Sequence, residues 1–200
     1  IKKQINIVVP KDNKKLKMNT LLQTAFDLFT GKGFAKTTVS DIVNQAGLAK
    51  GTFYLYFKDK YELQDVLLAK TSHELFSKAC KEATQQQFDR LDDKIVFIID
   101  SIINELIVRP NILKFIQKNL SLGLYSEKLT DLLDSEELGI KELFIREVKE
   151  KDIPLEYPEM TLFMIIELVS STVFTSIVEK QPLPIDEFKP HLYKTIRLLI

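Results

Sequence analysis

The chain has 200 residues, 45% of them hydrophobic, with 28 Lys and Arg against 28 Asp and Glu. That length and apolar content supply a buried core for one or two small domains of a soluble globular protein. A single cysteine, Cys80, excludes an internal disulfide and fits a reducing compartment, and the two histidines, His73 and His191, have no partner at a metal-ligand spacing. No glycine-rich phosphate loop, nucleophile elbow or catalytic-triad order occurs, so we expect no enzyme, no cofactor and no metal.

Zero net charge, read alone, argues against a nucleic-acid partner. It conceals a polarised chain: residues 1–60 hold eleven lysines and four aspartates, a net of +7, and the remainder holds 17 Lys and Arg against 24 Asp and Glu, a net of −7. A basic N-terminal end is the electrostatic footprint of a DNA-binding domain, and an acidic body keeps the rest away from the duplex. The expected organisation is therefore a basic arm and DNA-binding domain over 1–60 and a helical body over 61–200.

In chain order, Lys2, Lys3, Lys11, Lys14, Lys15 and Lys17 come first, as either a flexible arm over phosphate or minor groove or a solubilising tail. The INIVVP run at 5–10 fits a short strand or an extended tether, and Ile1 in first place leads us to expect a start further upstream. A first helix is predicted over 14–30, where Leu22, Ala25, Phe26 and Phe29 stand at i, i+3, i+4 and i+7, the stripe that faces a core; Gly31 and Gly33 end it. Thr38, with Asp41 three residues on, reads as a capping box that opens a second helix, whose Ile42, Val43 and Ala46 make one apolar face. Gly47 stops that helix, because glycine alone takes a left-handed backbone without steric cost. A third helix starts near Ala49. On it Phe53 and Phe57 pack inward, while Lys50, Gly51 and Tyr54 share one outward face and Thr52 and Tyr56 another.

Those outward faces suit a phosphate-lined groove. Gly51 admits close backbone approach, Lys50 and Lys60 neutralise phosphates, and the tyrosine hydroxyls donate to phosphate oxygens while their rings stay packed. Taken singly, these residues describe an ordinary helical hairpin with surface lysines and half-buried tyrosines. Taken as an ordered set of glycine turn, small-residue helix start and paired aromatics, they point to a DNA-docking helix-turn-helix.

The residues LLQTAFDLFTGKGFAKTTVSDI at 21–42 and GLAKGTFYLYFKDKYEL at 47–63 closely resemble the N-terminal domain of tetracycline-repressor-like (TetR/AcrR) transcriptional regulators. The resemblance covers about a quarter of the chain, from Asn19 to Leu63. It implies that Lys50, Gly51, Thr52, Tyr54, Tyr56 and Lys60 contact DNA, with Thr37, Thr38 and Ser40 near phosphate. One departure matters: no arginine occurs before Arg90, so the bidentate reader of guanine is missing from this domain. Sequence choice is then expected to lean on Lys50, Thr52 and DNA shape.

Further along, a long helix is expected from Asp59 towards Gln85, joining the basic end to the body as a lever. The stretch 91–108 is apolar nearly all round and reads as a central helix, stopped by Arg109-Pro110. Helices are predicted at 110–120, 126–133, 135–149 and 159–180, with a last one ending at Ile200. The class is all-α, a three-helix N-terminal bundle followed by a helical ligand-binding and dimerisation domain. The apolar run 160–178 raises the question of a membrane, but Glu167 at its middle would cost about 2.5–3.5 kcal/mol on insertion and no basic cluster flanks it. We read it instead as a helix buried by its own domain and by a second subunit, with Ser170, Ser171 and Ser176 permitting close approach.

The resemblance further implies a homodimer through the last two helices, set to reach half-sites about 34–36 Å apart on a double-stranded DNA operator. It also implies a small-molecule effector in the C-terminal domain that shifts the long helix. Candidate effector contacts are the polar groups Asp100, Asn104, Glu105, Asn119, Tyr125 and Glu167, with Phe97, Phe115, Phe144 and Phe163 as walls; for each aromatic the competing role is core packing, and for Glu167 and Asn104 an intersubunit partner competes with a ligand. Buried carboxylates would favour a cationic or hydroxyl-rich ligand. The expected protein is a cytoplasmic, dimeric, ligand-responsive repressor. The alternatives are an architectural or cell-cycle factor controlled by a protein partner, and an all-helical enzyme carrying an inherited helix-turn-helix.

Overall fold

The computed structural model describes residues 11–117, 119–122 and 140–200. Among the described residues every regular element is a helix. The predicted tether at 5–10 and helix at 126–133 lie outside them. By internal packing the chain divides into two compact units, one reaching to Leu67 and the other running from Leu68 to Ile200.

The first unit is built on α1 (Lys11–Gly31), which buries Leu21, Leu22, Ala25 and Phe29. Phe26, expected on that stripe, is only half-buried, because the face turned inward is rotated towards Leu21. The chain leaves α1 through Gly33, whose φ of +91° lies in the left-handed region. Helix α2 (Val39–Gln45) opens on the predicted capping box. The Thr38 hydroxyl accepts from the Asp41 amide at 3.1 Å, and the Asp41 carboxylate accepts from the Thr38 amide at 2.8 Å. The Lys32 ammonium, 2.7 Å from the same carboxylate, ties the end of α1 to the start of α2.

Helix α2 ends at Gly47, at φ +66°. The Leu48 amide donates to the Val43 carbonyl at 2.9 Å and the Gly47 amide to the Asn44 carbonyl at 3.2 Å, the paired bonds of a Schellman motif. Those bonds close α2 and turn the chain into the short α3 (Lys50–Tyr54). Phe53 and Phe57 point inward as expected, both buried, with ring centroids 5.7 Å apart. Helix α4 (Lys60–Thr84) begins under an Asp59 cap that accepts from the Tyr61 and Glu62 amides, each at 2.9 Å.

The second unit is organised around α5 (Leu91–Val108), which buries residues along most of its length and packs on α6 (Pro110–Ile116), α8 (Pro158–Val178) and α9 (Ile185–Leu199). Helix α8 also packs on α9 and on α7 (Ile140–Glu150). Helix α6 stops four residues short of the predicted end, where Gln117 takes a φ of 50°. The Leu120 amide then donates to the Ser170 hydroxyl at 3.2 Å, and the Ser176 hydroxyl donates to the Leu183 carbonyl at 2.7 Å. Ser170 and Ser176, expected to ease the approach of a second subunit, are thus buried against their own chain; Ser171 alone of the three is exposed. Helix α8 is long and apolar enough to cross a membrane by composition, yet it buries Leu162, Ile165, Ile166, Val169 and Val173 among its neighbours, as a core helix does.

Two predictions follow from the turns of the first unit. A methyl group added at Gly47 meets no atom within 4 Å, so Gly47→Ala isolates the backbone strain of a positive φ. It should lower unfolding free energy by about 1–2 kcal/mol in urea titrations with an unchanged m-value, and Gly47→Asn by less. The Asp41 carboxyl is held down to about 2, first by the Lys32 hydrogen bond and then by the Thr38 amide and hydroxyl. A depressed folded-state value contributes stability above the unfolded value of about 3.8 and loses it as pH falls towards 2. Thermal melts should therefore show wild type above Asp41→Asn at pH 6, with the difference shrinking between pH 4 and 2.

Candidate nucleic-acid interface

Helix α3 has room for one inward face only. Phe53 and Phe57 fill it, so Lys50, Gly51 and Tyr54 are left on the outside, as expected. A Cβ on Gly51 would meet nothing within 4 Å, which leaves open space above its backbone. Tyr54 is 53% exposed, its ring edge-on to Phe53 at 5.4 Å, so the ring is braced while the hydroxyl stays in water. Thr52 is half-buried at the border of this face.

Leu55 was not among the predicted contacts. It is 76% exposed, directly after α3 and four residues from Gly51, which puts a large apolar side chain amid the polar, basic surface. The i+4 relation to Gly51 was the available signal. Lys36 and Lys58 are likewise exposed, and among the described residues no carboxylate pairs with them or with Lys50. Thr38 and Ser40 are exposed at the start of α2, the Thr38 hydroxyl engaged in the capping box.

Three predicted contacts have other engagements. Thr37 is fully buried, and its hydroxyl donates to the Gly33 carbonyl at 2.9 Å. The Tyr56 hydroxyl donates to the Lys14 carbonyl at 3.1 Å, bracing the exit of α3 on α1. The Lys60 ammonium donates to the Phe34 and Thr37 carbonyls, both at 2.9 Å, and sits 4.4 Å from the centre of the Phe34 ring. Spacing alone could not reveal these partners, because each lies 4 to 42 residues away in sequence.

The expected effector residues that the structure describes have several separate engagements. Asp100 and Asn104 face α9: Lys189 donates to Asp100 at 2.8 Å and to Asn104 at 2.6 Å, and Tyr193 also donates to Asp100. Burial raises the Asp100 carboxyl, but the Lys189 and Tyr193 hydrogen bonds outweigh it and leave the group below its ordinary value. Burial and then Asp100 push the Tyr193 hydroxyl up. The Asp100 charge is thus met within the chain by the Lys189 ammonium. Glu105 pairs with Lys78 and Arg109. Phe97 packs against Phe88 at 5.4 Å, Phe115 is half-buried, Phe144 is fully buried core, and Asn119 is exposed. Phe163 lines an open groove of about 520 Å³ with Tyr157, Pro158 and Met160, and Glu167 is half-buried on α8. Tyr125 lies outside the described residues.

Residues 21–66 match the family described as bacterial regulatory proteins, tetR family. Over 47 residues the chain is 49% identical to an uncharacterized HTH-type transcriptional regulator of Bacillus subtilis, YvdT; that match spans 24% of each chain. A second, YhgD of the same organism, is 27% identical over 184 residues, 88% of this chain and 89% of its own. The crystal structure of the transcriptional regulator FadR from Bacillus subtilis in complex with stearoyl-CoA superposes with a TM-score of 0.58 at 19% identity, over 91% of this chain and 98% of that one, and so shares the fold. The family match takes in Gly33, the capping box, Gly47, all of α3 and the first turns of α4, so that over residues 21–66 the chain is similar to the tetR family of bacterial regulatory proteins.

Proposed function

We propose that the protein is a dimeric, sequence-specific DNA-binding transcriptional repressor of the cytoplasm, released from its operator by a small molecule held in the second unit. The observation that carries this reading is the exposed face of α3 and its exit, where Lys50, Gly51, Tyr54 and Leu55 stand clear of the core. Lys50 supplies the cation, Gly51 the close approach, Tyr54 a phosphate donor and Leu55 an apolar contact for a thymine methyl in the major groove. Thr38, Ser40 and Thr52 border this face, and Lys36 and Lys58 add positive charge beside it.

Dimerisation is supported by the outer side of α8. Met160, Phe163, Met164, Leu168, Phe174 and Val178 recur at helical spacing, exposed or half-buried, along its whole length, with Glu167 and Ser171 among them. Leu198 on the neighbouring α9 is 79% exposed. A second copy of the chain covers this stripe and gives two recognition faces for a palindromic site. Effector control is supported by the shared fold with FadR, whose structure holds stearoyl-CoA.

DNA selected from a random pool by the purified protein, at several salt concentrations, tests the central reading; recovery of no common sequence sinks it. On a selected site, Lys50→Ala should cost about 1–3 kcal/mol of affinity and less on scrambled DNA, whereas equal losses would assign Lys50 to phosphate alone. Gly51→Ala should weaken binding without lowering the melting temperature, because alanine favours the helix and meets no clash there. Met164→Lys should turn the sedimenting species from dimer to monomer. Stearoyl-CoA is the first effector probe: a raised melting temperature together with release of DNA supports control by a long-chain thioester, and absence of both excludes that class.

A further inference from the structure

Direct reading of base edges in the major groove uses a short list of side chains: Arg or Lys on guanine, Asn or Gln on adenine, Glu or Asp on cytosine, and apolar groups on the methyl of thymine. The segment that carries the exposed face, AKGTFYLYF at 49–57, contains no Arg, Asn, Gln, Asp or Glu. Lys50 is the one charged side chain in it. Asn44 and Gln45, the nearest amides in sequence, belong to α2 and precede the Gly47 turn. What the face offers in place of such readers is apolar. Leu55 continues the helical backbone of α3, at φ −75° and ψ −20°, two residues after the wholly buried Phe53; it therefore points away from the core, and it is 76% exposed. Gly51, one turn earlier on the same face, has open space where a side chain would stand, so no neighbour on that side holds the Leu55 side chain back from a groove floor.

We infer that the protein chooses its site chiefly by thymine methyl groups, with Leu55 as their reader. The inference rests on the DNA-binding reading above and adds to it which base feature is read. Charge selects what covers Leu55: the segment 1–60 has an excess of seven positive charges, and Lys36, Lys50 and Lys58 are exposed with no carboxylate paired to them among the described residues, which suits a polyanion. On that polyanion the thymine C5-methyl is the apolar group that a major groove presents. A leucine pressed on the polar edge of guanine or cytosine would strip its hydration and return no hydrogen bond, whereas against a methyl group both partners leave water favourably.

The test takes a DNA site selected by the wild-type protein and replaces each thymine in turn with deoxyuridine, which pairs with adenine in the same way and lacks the methyl. At one or more positions affinity should fall by about fourfold, the effect of burying one methyl-sized group. The same replacement should leave the affinity of Leu55→Ala unchanged, because its reader is gone. Leu55→Ala itself should keep the wild-type melting temperature and the wild-type slope of log affinity against log salt, since it removes neither a core contact nor a phosphate contact. A site bound equally well with and without its thymine methyls overturns the inference. So does a loss of the same size in wild type and in Leu55→Ala, which assigns the effect to DNA shape. Replacement of guanines by 7-deazaguanine, which lacks the N7 acceptor, gives the third arm: a loss larger than that at any thymine would make Lys50 the main reader and overturn the inference. Should wild type select no DNA, the DNA-binding reading fails and takes this inference with it, whereas a selected site without dependence on methyl groups removes the inference alone.

Discussion

A left-handed backbone at one residue sets the geometry of the exposed face of α3. At Gly47 the φ of +66° lets the Leu48 and Gly47 amides satisfy the last carbonyls of α2, and the same turn aims the chain into α3. A side chain there would have to bear the strain of that conformation, and relaxing it would rotate Lys50, Gly51 and Tyr54 together, since α3 is too short to have a stability of its own. The rest of the first unit supports this turn. Phe53 and Phe57 anchor the helix from beneath, the Thr38 and Asp41 box starts α2 at a defined residue, and Tyr56 braces the exit on α1.

Charge acts at two scales in this unit. Over the whole segment, an excess of seven positive charges provides attraction to a polyanion without requiring any particular contact. Within it, individual lysines divide into those that face water and those that hold the fold. Lys32 is paired with Asp41 and Lys60 with two carbonyls, whereas Lys36, Lys50 and Lys58 remain in solvent. The body treats its polar groups similarly. Asp100, which looks like a ligand anchor inside an apolar helix, is paired with the Lys189 ammonium and accepts a hydrogen bond from the Tyr193 hydroxyl, both on α9, and Lys94 on α5 pairs with Glu147 on α7. In a helical bundle, an isolated polar residue on an apolar face is met more readily by a long side chain from the next helix than by a ligand, because burying it alone carries a large desolvation cost.

The helices were legible wherever local chemistry decides them. The extent of α5 follows from its unbroken apolar pattern and the Arg109-Pro110 stop, and α2 from the Thr38 and Asp41 pair and Gly47. Where termination depends on contacts from elsewhere, the reading missed: α6 ends at Ile116 because the chain is drawn to Ser170, fifty residues away. The same division runs through the site. Lys50, Gly51 and Tyr54 were legible as an outward face because helical spacing and two inward phenylalanines leave no other arrangement. The engagements of Thr37 and Lys60 were not, since only the fold shows that the Thr37 hydroxyl and two of the Lys60 protons are donated to backbone carbonyls.

By itself, then, the sequence determined the all-helical class, the turn at Gly47, the inward phenylalanines and the positive pole, all of which depend on interactions within a few residues or on summed charge. Tertiary structure alone decided which lysines, threonines and carboxylates are free to meet another molecule. That choice depends on where a distant carbonyl or ammonium comes to rest, as at Lys60 against Phe34 and at Asp100 against Lys189, and no periodicity along the chain records such a distance.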